Sequence, residues 1–426
     1  MSYWLFVVAG AFAIYAFVSR RLSTTAITGP MVFVTVGFII GTNGFEIVDI
    51  EANSEAVTTL LEITLLVVLF SDAYAINNTA WRTETFVPGR LLLVGMPLTI
   101  ALGIGTAVVL FTDLGFWEAA LIAAILAPTD ASLGQAVISN PRVPQRIRQG
   151  LNVESGLNDG VALPLVLVFL GAAEESATSG SIGGVLSFIG EEVLIAVVVG
   201  IAIGWTGAKA ILAASRHGLM SPMWAQIGAL ALAAAAYGLA TPLHGSGFIA
   251  AWLTGLVIGA LTRGHVDELT ELSETLGAAL TMLSFLVFGA ILLGPAIDEL
   301  TWQVALYAVL SLTLVRMVPV AIGMTGSGLR RPSVLYLGWF GPRGLASIIF
   351  AGIVIEDADL PGVATILSVV MITVGLSVFA HGATSWFGSE SYADWYHTTE
   401  QANPKAPEAD EGPEHPISRR HDAPSS

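Results

Sequence analysis

Six ionisable residues stand in stretches that are otherwise apolar enough to lie in lipid: Asp72, Asp130, Glu154, Asp159, Arg316 and Arg343. A charge at the centre of a bilayer costs roughly 3 kcal/mol on insertion scales, so each needs a partner, water or a task. The densest group is Glu154-Ser155-Gly156-Leu157-Asn158-Asp159-Gly160. On a helix, Glu154 and Asn158 (i, i+4) share one face, and Ser155 and Asp159 share the adjacent one. Two carboxylates without a neighbouring cation point to a water-accessible cavity. A satisfied polar contact between helices is the bland alternative, and it leaves both acids unexplained.

Ala127-Pro128-Thr129-Asp130 and Phe340-Gly341-Pro342-Arg343-Gly344 each place a proline inside an apolar run. Proline lacks an N–H and clashes with the preceding turn, so both helices are expected to break near mid-membrane. Each break leaves a positive N-terminus and a negative C-terminus. Asp130 is expected to offset the positive ends and Arg343 the negative ones. Arg316 then needs a carboxylate, and Glu154 is the acid without an assigned partner, with Arg343 as its alternative mate. That leaves Asp159 unpaired and Asp72 as a second acid. A desolvated carboxylate either takes a proton or stays ionised by taking a cation. If its access alternates, it exchanges one for the other. A hard cation such as Na+ wants oxygen ligands, and Asp159, Asp72, Thr129, Ser155, Asp130 and the carbonyls of the breaks supply them.

The elements that must hold these residues are membrane spans. A bilayer core takes about 20 helical residues, and thirteen candidate segments emerge: 3–18, 25–41, 58–76, 89–111, 116–139, 150–171, 185–213, 223–241, 245–261, 273–295, 301–323, 332–355 and 362–386. The fifth and twelfth carry the breaks and, counting two successive sets of six from the second segment, are expected to occupy equivalent places, the footprint of an inverted repeat. No Lys or Arg precedes the first segment and Arg20 and Arg21 follow it, so it is expected to be a span and not a cleaved leader. Arg20/Arg21, Arg82/Arg90, Arg142/Arg146/Arg148, Lys209/Arg216, Arg263, Arg330/Arg331 and the tail cations fall on one side, and acids populate the other. The positive-inside rule therefore puts the N-terminus outside and the C-terminus in the cytoplasm of a multi-pass cell-membrane protein. The transmembrane domain is expected over 1–387, and the polar, proline-rich 388–426 reads as a disordered tail.

Composition agrees. Of 426 residues, 54% are hydrophobic and only 12% charged, about half the charge of a soluble domain. The apolar runs are too long for the strands of a β-barrel. With no cysteine, thiolate chemistry and disulfides drop out. A net charge of −16 opposes nucleic-acid partners. No cofactor is called for, and no deep histidine serves Ser155 as a hydrolase would require, so an enzyme is not expected. A cation channel is the nearer rival, and the paired breaks favour alternating access over it. His244 and His381 are placed near span ends as satisfied interfacial residues, Glu191 and Glu192 on a wet outer rim, Glu62 on a helix face near the outside, and Trp4, Trp224, Trp302 and Trp386 as interface anchors.

The sixth segment resembles the Glu-…-Asn-Asp signature of the cation:proton antiporter-1 family, the sodium/proton antiporters of the NhaP and NHE type. Thr129-Asp130, Gly341-Pro342-Arg343-Gly344, Phe70-Ser71-Asp72 and Gly245-Ser246-Gly247-Phe248-Ile249-Ala250 support it in register. The resemblance covers about residues 1–386. It implies an all-α NhaA-type fold with interleaved core and dimerisation subdomains, a homodimer, and Asp159 as the proton or ion carrier assisted by Asp72, Thr129 and Ser155. It implies Glu154 paired with Arg316, and, from Asn158 in place of a second Asp, electroneutral exchange of Na+ for one proton, with Li+ or K+ as other cations. Two features depart from the family pattern: Asp72 where relatives often carry Glu, and Pro128 before, where many relatives have it after, the Asp of the fifth span.

Overall fold

Lipid offers no hydrogen-bond partners, so an apolar chain that crosses it must satisfy its backbone internally, and helices do so within one segment. The computed structural model describes residues 2–22, 25–47, 54–76, 86–177, 182–262, 269–357, 360–399 and 408, and among these the regular structure is entirely helical. In chain order the helices are α1 (Ser2–Leu22), α2 (Gly29–Ile40), α3 (Glu55–Ile76), α4 (Phe86–Leu110), α5 (Phe116–Ile125), α6 (Gln135–Ser139), α7 (Gln145–Ala177) and α8 (Ile182–Arg216). There follow α9 (Pro222–Ala240), α10 (Gly247–Thr262), α11 (Glu271–Asp298), α12 (Trp302–Leu312), α13 (Leu314–Gly323), α14 (Arg331–Trp339), α15 (Leu345–Asp357) and α16 (Val363–Thr399). Nine helices among the described residues are long and apolar enough to cross a membrane, and four shorter apolar ones accompany them. Each expected segment contains helix. Sets counted from the second segment would put the breaks fourth and fifth; they take matching places when the first to sixth segments are set against the eighth to thirteenth, with α8 between the sets, which corrects the expected division.

Both prolines act as expected. α5 stops at Ile125, and the chain stays non-helical to Asp130, whose φ/ψ of −116/107 is extended. α14 stops at Trp339, and helix resumes at Leu345. A further interruption has no proline: Thr313, at φ −110 and ψ −94, separates α12 from α13. α4 and α11 each contain a π-helical turn, Leu91–Gly95 and Phe288–Leu292.

Small residues set the close approaches, as helix contacts in lipid require. A Cβ on Gly255 would lie 2.6 Å from the carbonyl oxygen of Phe70, and one on Gly259 2.7 Å from that of Tyr74. The Gly-x-x-x-Gly face of α10 thus grips α3 on both sides of Asp72. A Cβ on Gly37 would meet the Leu286 carbonyl at 2.0 Å, pressing α2 onto α11.

α16 continues helical through 388–399, which corrects the expectation that the disordered tail begins at 388. Arg142 holds this extension, with Nη1 2.5 Å from Glu390 and Nη2 donating to Asp394. The Asp394 hydrogen bond raises the already high pKa of that guanidinium. The rest of the expected tail lies outside the described residues, apart from Glu408. That residue is 1% exposed and accepts the Arg330 N–H at 2.8 Å and the Ser333 hydroxyl at 2.9 Å, capping α14. Arg82 and Arg263 also lie outside the described residues.

A candidate ion site where two broken helices cross

Asp130 gathers the positive ends. Its Oδ1 accepts the Ser132 N–H at 2.8 Å in its own span, and its Oδ2 accepts the Leu345 N–H at 2.8 Å at the start of α15. Its own N–H donates to the Pro342 carbonyl at 2.8 Å. One carboxylate therefore caps two helix starts and bridges the crossing. Gly344 is required beside it, since a Cβ there would stand 2.2 Å from Oδ2. Arg343 serves the opposite pole. Its Nη1 donates to the carbonyls of Ala127 (2.6 Å) and Pro128 (3.2 Å), just past the C-terminus of α5. Ser347 adds a hydroxyl to the Ile125 carbonyl at 2.7 Å.

Glu154 takes Arg316, and the alternative pairing with Arg343 is not formed. The bond is bidentate, Nη1–Oε1 2.6 Å and Nη2–Oε2 2.8 Å, and both residues are buried. Fork-to-fork geometry fixes the orientation of both side chains. The guanidinium lies against the backbone of the second break, where a Cβ on Gly341 would be 2.4 Å from Nε.

The other face of α7 turns toward the first break. Ser155 Oγ donates to the Thr129 carbonyl at 2.9 Å, and Asn158 Nδ2 donates to Thr129 Oγ1 at 2.7 Å. These two bonds hold the unwound peptide against α7. Asp159 is 9% exposed, and its Oδ1, like Asn158 Oδ1, is buried without a hydrogen-bond partner among the described residues. The charges of Asp72, from α3, and Asp130 act on it. Inside α7, Pro164 has no N–H to give, so the Gly160 carbonyl next to Asp159 loses its helical partner. Three carboxylates thus act on one another beside the Thr129 peptide, with the nearby cations drawn off: Arg316 to Glu154 and Arg343 to the Ala127 and Pro128 carbonyls.

Cavities approach α7 from both ends. One of about 10 Å³, room for about one water, is lined by Thr129, Asp130, Leu151, Ser155 and Pro342. Another of about 220 Å³ is lined by Glu62, Leu167, Glu192, Tyr237 and Phe248 at the opposite end. Asp159 lies between Ser155 and Leu167 on the helix that borders both. Glu62, read as a helix-face residue near the outside, and Glu192, read as a rim residue, face this larger cavity, and the Tyr237 hydroxyl donates to Glu62 at 3.3 Å.

Two polar residues escaped the sequence reading, and a third, His381, sits elsewhere than expected. Glu118, 7% exposed, accepts the Gly115 N–H at 2.7 Å and the Gly362 N–H at 2.8 Å, tying the start of α5 to that of α16; Gly115-Phe116-Trp117-Glu118 has the spacing of a helix-start capping pair and was the available signal. Glu274, in the first turn of α11, acts electrostatically on Asp72. His381 is not at a span end: it is fully buried within α16. His244 does lie in a connection, at a left-handed φ of 61.

Two discontinuous helices crossing beside buried carboxylates define a polytopic membrane protein of the NhaA-type, inverted-repeat class. Residues 7–385 match the family described as sodium/hydrogen exchanger, transmembrane, and the chain belongs to that family. It is 24% identical to the K(+)/H(+) antiporter NhaP of Alkalimonas amylolytica over 75% of its own length and 55% of that protein's. It is 27% identical to a probable Na(+)/H(+) antiporter of Schizosaccharomyces pombe, over 70% of this chain and 41% of that one. The chain thus spans about half the length of these two relatives. In fold it is similar to the sodium proton antiporter MjNhaP1 from Methanocaldococcus jannaschii, with TM-score 0.71, 21% identity, and coverage of 92% of this chain and 97% of that one.

Proposed function

We propose that this protein is a secondary active transporter that exchanges Na+ for protons by alternating access, one for one, with Asp159 as the shared carrier. The observation that carries the reading is the Asp159 carboxylate: buried, with one oxygen unpartnered among the described residues, on a helix bordered by cavities toward both ends. A carboxylate so placed holds a proton or a cation but not both, and exposure to each side in turn makes the exchange obligatory. Asp72, Thr129 and Ser155 are the assisting ligands. Asp130 contributes only the second lone pairs of oxygens already engaged by N–H groups, and the Gly160 carbonyl joins the set. Glu154–Arg316 and Arg343 hold the frame without touching the ion. Asn158, an amide that spends its N–H on Thr129, adds no second charge, which suits an electroneutral cycle.

K+ in place of Na+ is the second reading, favoured by the K(+)/H(+) name of the Alkalimonas relative. The short Asp72 leaves a wider space than Glu would, which suits a larger ion. The arginine-bearing ends of the helices face the cytoplasm in this reading, so the 220 Å³ cavity opens outward. The protein works as a homodimer in the cell membrane, without a resident cofactor.

The test is exchange in reconstituted vesicles. An imposed Na+ gradient should drive protons the opposite way, and Asp159→Asn should abolish this while the purified variant keeps its thermal midpoint. Full exchange by Asp159→Asn would falsify the shared-carrier mechanism, and current without obligatory proton movement would identify a channel. Repeating the assay with Li+ and K+ sets the cation preference.

A further inference from the structure

α16 carries a fully buried histidine that the exchange mechanism leaves unused. Ser377 Oγ accepts the backbone N–H of Arg343 at 2.7 Å, at the break of the twelfth span. One turn further along α16, His381 Nδ1 lies 3.2 Å from Ser377 Oγ and 3.1 Å from the Ser377 carbonyl. The other lip of the same break ends in Trp339. Its indole packs on the imidazole with ring centroids 4.8 Å apart at 31°, and its Nε1 donates to Thr384 at 3.0 Å. His381 therefore touches both edges of the gap, one directly and one through Ser377. Its Nε2 makes no hydrogen bond of good geometry among the described residues, and the Trp339 backbone also acts on the ring as a hydrogen-bonding group, which adds a polar link to the aromatic one.

The Arg343 N–H is one of the orphan donors ahead of α15, and the Ser377 hydroxyl satisfies it. That hydroxyl has a single proton to give. In the tautomer protonated at Nε2, Nδ1 accepts that proton and leaves an oxygen lone pair for Arg343; in the other, Nδ1–H donates to the Ser377 carbonyl, and either way the ring holds Ser377 in place. An imidazolium would lose this acceptor and would stand against the charges of Arg343 and Arg316. The Arg343 side chain leaves the same residue to reach the Ala127 and Pro128 carbonyls, directly before Thr129. A shift of the Arg343 backbone is thus transmitted to the peptide that faces the ion.

We infer that His381 is a positioning residue for cation binding: through Ser377 and Trp339 it sets the break of the twelfth span, and through Arg343 it sets the ligand peptide at Thr129. The inference rests on the reading of the site as an exchanger of cations for protons. Two measurements test it, the apparent KM for Na+ in vesicles and the Na+ concentration that gives half-maximal thermal stabilisation of the purified protein. His381→Leu and Ser377→Ala should each raise both by about tenfold, the effect of one lost hydrogen bond, with little change in maximal rate. His381→Asn, which keeps an amide near the Nδ1 position, should stay within about twofold, whereas His381→Gln, with its amide one bond farther out, should not. The two losses act on one chain of contacts, so the variant carrying both His381→Leu and Ser377→Ala should be no worse than either single one. If His381→Leu does not fold, the Asn and Gln variants decide. Equal values for wild type, Asn, Gln and Leu, or additive effects in the double variant, overturn the inference while leaving the exchange reading intact. A wild type showing neither exchange nor stabilisation by Na+ or K+ removes both.

Discussion

Glu154 and Asp159 stand little more than one turn apart on α7, and packing gives them opposite fates. Glu154 is matched atom for atom by the Arg316 fork, whereas Asp159 keeps a buried oxygen free. A buried pair of this kind specifies geometry more than it stabilises, and breaking one side strands a charge. Glu154→Gln is therefore expected to destabilise the protein by about 3–5 kcal/mol, seen as a fall in the thermal midpoint of the purified protein. Replacing both partners with leucine should be milder than either single change. Equal damage from the double replacement would show that the pair contributes net stability. The identities of these residues were legible because charge in lipid is rare enough to need a reason. Which arginine met Glu154 was not, since Arg316 and Arg343 are alike in chemistry and only the three-dimensional path of α13 brings Arg316 over Gly341.

At the scale of elements, the breaks were legible because proline acts locally: it removes a donor and blocks a turn wherever it sits. The interruption at Thr313 carries no such residue, whereas each π-helical turn runs up to one: Pro97 has no N–H for the Leu93 carbonyl and Pro295 none for that of Ile291. Glycine supplies a test at this scale. Gly344→Ala sets a methyl 2.2 Å from Asp130 Oδ2 and must displace the double cap, so transport should fall to below about a tenth, given that a cap is worth about 1 kcal/mol and here serves two helices. Gly105→Ala in α4, with no atom within 4 Å of the new methyl, should leave transport unchanged and stabilise by up to about 1 kcal/mol through helix propensity. Vesicle exchange assays on the two variants check both, and a normal rate for Gly344→Ala would show that Asp130 does not need its bond to α15. Gly255→Val should push α10 off α3 and weaken cation binding through Asp72, measured as a higher apparent KM.

For the whole molecule, the absence of cysteine provides a labelling background. With arginine-rich ends inside, a cysteine at Asp113 should react with an impermeant maleimide added outside intact cells, and one at His217 only after the membrane is opened. The reverse pattern would invert the orientation. Exchange should show a bell-shaped dependence on pH, because protons displace the cation from Asp159 on the acid side and fail to reload it on the alkaline side. A rate flat from about pH 5 to 9 would speak against one shared carboxylate.

The sequence by itself determined the helical membrane class, the places of the two breaks and the six deep charges around them. Each of these depends on local chemistry: apolar length, a missing N–H, the cost of charge in lipid. Tertiary structure decided the rest. It made Asp130 the cap of two helices, drew Arg343 to the carbonyls of the opposite break, placed His381 deep behind the twelfth span, and left one Asp159 oxygen without a partner among the described residues. Those outcomes depend on which helices cross and how closely glycine lets them approach, and a contact between residues some two hundred positions apart has no local signature to read.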